Sequence, residues 1–182
     1  MATAFANQLT NRNFLSPAAF QFSITKTPKV SFFCTSASIP SITLATEIQP
    51  SYLKDIDVPG EKLEYENLSV RFLVDEDLMN YMAIHNWLTG LGFPESTKEF
   101  KDEITKPDTS IDMNLQYSDG SLMIQNSNFR TNAIVKFKDL FPVSLTSLEF
   151  DTAVTDIQYF TAEASFKYLV YNIVAEDGRT KL

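Results

Sequence analysis

Three places in the chain carry residue types that could do chemistry: His85, Cys34 and the acidic run Asp75-Glu76-Asp77. His85 is the single histidine. A catalytic base needs a nucleophile within reach, and a metal-bound imidazole needs companion ligands. The residues around it place His85 on the apolar face of a helix, as a packed side chain. Cys34 is the single cysteine, so no internal disulfide can form. A reactive thiol needs an electropositive, partly open site. Cys34 alternates with aromatics in "VSFFCTSAS", which predicts a small buried hydrophobe. The acidic run lacks the glycine and terminal glutamate of a calcium loop. It stands where a helix should begin, and Asp75 fits a helix cap. There is no Gly-rich phosphate loop, zinc spacing or nucleophile elbow. The expectation is no catalytic residue, no metal site and no cofactor.

The elements that would position such groups come from size and patterning. The chain has 182 residues, enough for one domain with a real core. Apolar content is 44%, with 15 Phe against 5 Gly, which favours sheets packed through large side chains. The net charge of −8, with no basic cluster, argues against sequence-reading of nucleic acid but suits a surface that DNA passes without sticking. No signal peptide and no membrane-length apolar run is expected, so the chain should be made and kept in a reducing cytoplasm before any assembly.

Residues 1–13 read as a flexible N-terminal arm, 14–174 as a single β domain, and 175–182 as a frayed tail. "FQFSIT" and "VSFFCTSAS" alternate as two strands of a hairpin. Residues 43–62 form a long, partly extended loop or hairpin, with Pro59-Gly60 fitting a type II turn. Leu68, Val70, Phe72 and Val74 line one face of a strand. Leu78, Tyr81, Met82, His85 and Leu88 then share a helical face, widened by Ile84 and Leu91. Residues 95–112 read as a charged surface connection, within an insertion over 95–130. "SLMIQ" and "NAIVKFKDL" are strands, Phe141-Pro142 breaks the ladder, and a further strand runs near Leu145 to Phe150. One long strand spans Ile157 to Val174, with Ala162, Ala164 and Phe166 toward the core. The fold class is mainly β with one helix: an antiparallel barrel or sandwich of about seven strands, whose edges must close or pair with another molecule.

In this order, "FQFSI", "VSFFCTSASIP", "IDVPGEKLEYENLSVRFLVDED", "DLMNYMAIHNWLTGL" and the block "VKFKDLFPVSLTSLEF" to "SFKY" resemble the tail tube proteins of contractile-tailed bacteriophages. The likeness covers about Phe14 to Ile173 and extends to related baseplate tube-initiator proteins; 95–130 does not align. The resemblance implies a structural subunit whose hexameric rings stack around a DNA channel, in the virion tail. It implies partners in further copies, in sheath or baseplate proteins and in viral DNA, and none in a membrane. It makes Val30 to Ser38 an inner strand, and the arm and the long loop the stacking elements, with Asp55, Ile56, Asp57, Val58, Pro59 and Gly60 as inter-ring contacts. A channel for DNA should avoid clusters of cations, so Glu66, Glu163 and Lys167 are expected on the lumen side, with a carboxylate beside Lys167. A tail-end ring or, from another class, a ligand-binding β-barrel or enzyme remains open.

Overall fold

The computed structural model describes residues 14–92, 94, 96, 98, 116–151, 159–178, 180 and 181. The expected arm and most of the charged connection lie outside them. Among the described residues the order is β1 (Phe20–Ile24), α1 (Pro28–Phe32), β2 (Cys34–Ala37), β3 (Ile42–Gln49), β4 (Ile56–Tyr65), β5 (Leu68–Leu73), α2 (Met79–Gly92), β6 (Ser118–Gln125), β7 (Thr131–Leu145), β8 (Thr161–Lys167) and β9 (Val170–Ala175). All pairings are antiparallel. Seven strands form one sheet in the order β1-β6-β7-β8-β5-β2, with β9 also on β7. β3 and β4 pair only with each other. The expected mainly β fold is present, as a folded-over sheet that does not close into a barrel.

β7 makes the fold-over. Its first part pairs with β6 and β9, and residues 141–145 pair with β8. Asp139, at φ 53, takes the left-handed region between the two parts. Pro142 was expected to break the ladder, but β7 continues through it. The register shifts between Pro142 and Ser144, the kind of irregularity where a missing N–H is tolerated. The further strand expected to reach Phe150 is absent, because β7 already ends at Leu145.

Alternation decides what is buried. Phe22 and Ile24 of β1, Leu68, Val70 and Phe72 of β5, Val135, Phe137 and Leu140 of β7, and Ala162, Ala164 and Phe166 of β8 all face the core. The long final strand instead breaks at Tyr168-Leu169 into β8 and β9, and both Tyr168 and Tyr171 pack on the core. The tail is not simply frayed: Gly178 turns at φ 67 and Ala175 N–H donates to Thr180 C=O at 2.8 Å.

The "VSFFCTSAS" strand and its hairpin with β1 are corrected. Pro28 starts a one-turn helix, α1, and Val30 is wholly buried. β1 pairs with β6 and β2 with β5, so a bulky β-prone run yields to tertiary contact. Cys34 is half-buried, and burial pushes its thiol up to about 11.

α2 begins later than its acids. Leu78 sits at φ 56, and Asp75 Oδ1 accepts the Asn80 N–H at 3.3 Å. Asn80 is the buried polar anchor: its Nδ2 donates to Leu73 C=O at 2.7 Å, and its Oδ1 accepts the Tyr81 N–H at 2.7 Å. The inward face carries Asn80, Ile84, Trp87 and Gly90. His85 and Met82 are exposed, so the predicted face is rotated. Trp87 sets that rotation, with its ring tilted on Phe166 at 6.3 Å and its Nε1 donating to Gln116 C=O at 3.1 Å.

Trp87→Ala should destabilise by about 3–5 kcal/mol, because it removes a fully buried ring, and Leu88→Ala, half-buried, by less. Urea melts check the order; an equal loss from both overturns the placement of the helix face.

Candidate assembly surface

Two surfaces carry the residues expected to matter: the β3–β4 hairpin and the outer face of β5 and β8. The hairpin rises from the body by chain logic. Ile39-Pro40 ends the preceding segment, β3 leaves, and β4 returns to Tyr65. Every residue of β3 is exposed. Ile48 is 64% exposed and the apex residues Tyr52 and Leu53 100% and 91%, a run of apolar surface that a single chain leaves uncovered.

Pro59 and Gly60 are not a turn. They lie within β4, opposite a register shift between Leu44 and Thr46. The extra residues are on β4, where Gly60, Glu61 and Lys62 stand against the single Ala45 of β3, and Gly60 comes close to it: a Cβ there would stand 2.4 Å from the Ala45 carbonyl oxygen. Glycine is therefore required by the bulge. The turn lies earlier, after Pro50. Asp55 falls at the apex, while Ile56, Asp57, Val58 and Pro59 run along β4 paired with Gln49 to Thr46 of β3, and Gly60 follows in the register shift.

The hairpin's two feet are clasped by tyrosines that the sequence reading did not single out for this role. Tyr171 OH donates to Pro40 C=O at 3.2 Å, and Tyr168 OH donates to Glu66 C=O at 2.9 Å. Glu66 N–H closes the feet on Ser41 C=O at 3.2 Å. Tyr65 meets Tyr168 and Tyr171 edge-on at 6.0 and 5.8 Å, and Phe137 continues the cluster into the core. Burial, with the neighbouring Tyr171, Tyr65 and Glu66, pushes the Tyr168 phenol up to about 12. It therefore stays a hydrogen-bond donor. The strand break at Tyr168-Leu169 is what brings both hydroxyls to the hairpin.

On the outer face of β5 and β8, Arg71 is opposite Glu163 and Ser69 opposite Ser165. Arg71 Nη2 reaches Glu163 Oε2 at 3.1 Å, and Ser69 Oγ donates to Glu163 Oε1. These two bonds, the serine's foremost, hold the Glu163 carboxyl below its ordinary range. Lys167 follows on the same exposed edge of the pattern. The carboxylate expected beside Lys167 is not found among the described residues; Glu163 is engaged by Arg71 instead. Glu66 stands apart, in the link between β4 and β5. Among the described residues no group of three His, Cys, Asp or Glu could hold a metal ion, and no helix is long and apolar enough to cross a membrane.

Because Glu163 titrates low in the folded chain, its contribution to stability is present above its ordinary pKa of 4.5 and is lost as pH falls through the folded value. Glu163→Gln should flatten the acid limb of a melting-temperature profile. An unchanged limb overturns the pairing.

Three solved structures share the fold. A subunit of the anti-feeding prophage tube-terminating cap matches at a TM-score of 0.62 and 15% identity, over 96% of this chain and 99% of that one. A subunit of the sheath-tube complex of an extracellular contractile injection system, PVC, matches at 0.55 and 17% identity, over 90% and 93%. A subunit of the anti-feeding prophage baseplate matches at 0.54 and 12%, over 86% and 91%. No curated protein matches the chain. A family model matches residues 2–174, all of the span read as one β domain and most of the expected arm, and by that match the chain belongs to the phage tail tube protein family.

Proposed function

We propose that the chain is a subunit of a bacteriophage tail tube, closing into hexameric rings that stack around a DNA channel. The β3–β4 hairpin carries this reading. It is clasped firmly at its feet, yet it leaves Ile48, Tyr52 and Leu53 mostly exposed and Leu44 partly so. A surface of this kind suits burial against another copy. Asp55, Ile56, Asp57, Val58, Pro59 and Gly60 are its inter-ring contacts. The open edges of β1 and β2, at the two ends of the sheet, supply the lateral pairing that closes a ring. Sheath or baseplate proteins are the further partners. The chain waits in the host cytoplasm and ends in the virion tail.

The channel wall in this reading is the outer face of β5 and β8, with Glu163 and Lys167 on it and Glu66 at its margin. Arg71 makes the wall less acidic than the net charge of −8 implies. The Arg71–Glu163 pair is locally neutral, which suits DNA that must pass without adhering. A terminal or initiator ring of the same fold would use the same surfaces, and the likeness to the cap subunit spans almost the whole chain. Copy number per particle separates the two.

Replacing residues 45–60 with a short Gly-Ser link leaves the clasped feet intact. The variant should melt as the parent does and form rings without tubes in electron micrographs. Full-length tubes from it overturn the role of the hairpin.

Glu66→Lys with Glu163→Lys should leave tubes assembled but slow DNA passage, more at low salt than at high, since phosphate attraction is screened. Ejection at the parental rate in low salt overturns the lumen assignment.

A further inference from the structure

The β3–β4 hairpin is a lever that the body controls at its feet. Among the described residues β3 and β4 pair only with each other, and every residue of β3 is exposed. The 10 residues of β4 give the lever an arm of about 33 Å. A tilt of about 10° at the feet would carry the apex about 6 Å, more than the roughly 4 Å within which apolar groups touch. A surface on such an arm meets a partner reproducibly only if the feet are held.

Two phenols hold them. Tyr171 OH donates to Pro40 C=O on the entering foot, and Tyr168 OH donates to Glu66 C=O on the returning one. One bond would leave a pivot, whereas two on different feet restrain the tilt. The placement of the two donors is set by the bend in β7. β8 ends with Lys167 opposite Phe141, beyond the bend, and Tyr171 of β9 stands opposite Phe137, before it. Leu169 N–H donates to Lys138 C=O at 3.0 Å and fixes the step between the two strands. The angle of the hairpin therefore follows from the fold-over of the sheet.

The rings of the same residues have a separate task. Tyr168 and Tyr171 pack on Phe137 with centroids 5.2 and 5.8 Å apart, at the border of the core. That packing needs the rings and not the hydroxyls. The hydroxyls reach past the core to backbone carbonyls of the hairpin's feet. Stability and hairpin angle are thus carried by different atoms of the same two side chains.

We propose that the Tyr168 and Tyr171 hydroxyls are positioning groups for assembly, aiming the hairpin of one copy at the next. The inference rests on the tube reading and adds to it the device that orients the stacking element. Its consequence is that stacking can be uncoupled from folding by removing two oxygen atoms.

Tyr168→Phe with Tyr171→Phe removes both hydroxyls and keeps both rings. In the full-length chain this variant should melt close to the parent and still form rings, read by native mass spectrometry. Its critical concentration for tube growth should rise about tenfold. The hairpin angle is read by electron spin resonance below that concentration, with nitroxides on Lys54→Cys at the apex and Asp119→Cys on β6, in a Cys34→Ala background diluted with unlabelled chain. The distance distribution should be narrow with both tyrosines present and broad with both replaced. 4-Aminophenylalanine at both positions returns a neutral N–H donor to each carbonyl, and should restore growth and the narrow distribution. Parental growth of the double variant overturns the proposal. So does a growth defect with an unchanged distribution, or one that aminophenylalanine does not reverse. If the parent itself never stacks, the tube reading falls, and the distance measurement still decides whether the hydroxyls set the angle.

Discussion

One strand serving two layers is the constraint on which the structure depends. β7 begins between β6 and β9 and ends against β8. Its change of direction at Asp139 folds the sheet over itself, so Phe137 and Leu140, on either side of the bend, both point into the core. α2 covers that core by inserting Trp87 beside Phe166. Two consequences follow. β1 and β2 are left as the ends of the sheet, each with unpaired backbone groups on its outer side. The chain also has to leave the folded layers between β2 and β5, and the segment that leaves is the hairpin.

The hairpin's placement is a matter of preorganisation. A free two-stranded ribbon is marginal in water. Here its feet are tied by Tyr168 and Tyr171 to two backbone carbonyls, and the rings of both stack into the core cluster. A segment already ordered loses less entropy when it meets a partner. The apolar residues along β3 can therefore be exposed in the single chain and still be ready for association.

Alternation was readable in the sequence wherever one face of a strand meets the core. Leu68, Val70 and Phe72, and Ala162, Ala164 and Phe166, fall where period two puts them. The errors come from positions whose conformation is set by distant groups. Val30 looks like part of a strand, but its burial draws the segment into α1. Pro59-Gly60 has the residues of a turn, while the close approach of Ala45 explains the glycine. The helix face was rotated because Asn80 is polar, and its burial depends on Asp75 and Leu73. In the candidate site, Glu163 was singled out but Arg71 was not. Arg71 sits opposite Glu163 only through the β5–β8 register, and no local pattern encodes that register.

The same separation of local from distant explains why the surfaces for assembly were the hardest to locate. A core residue reveals itself by periodicity, since its environment repeats along its own strand. A contact with another copy has no such signature. The groups that hold such a surface in place are remote from it in sequence, and only the fold brings them together. Tyr168 and Tyr171 by themselves are aromatics at a strand break. They hold the exposed hairpin in place only because the fold brings their hydroxyls to Glu66 and Pro40, 102 and 131 positions away along the chain.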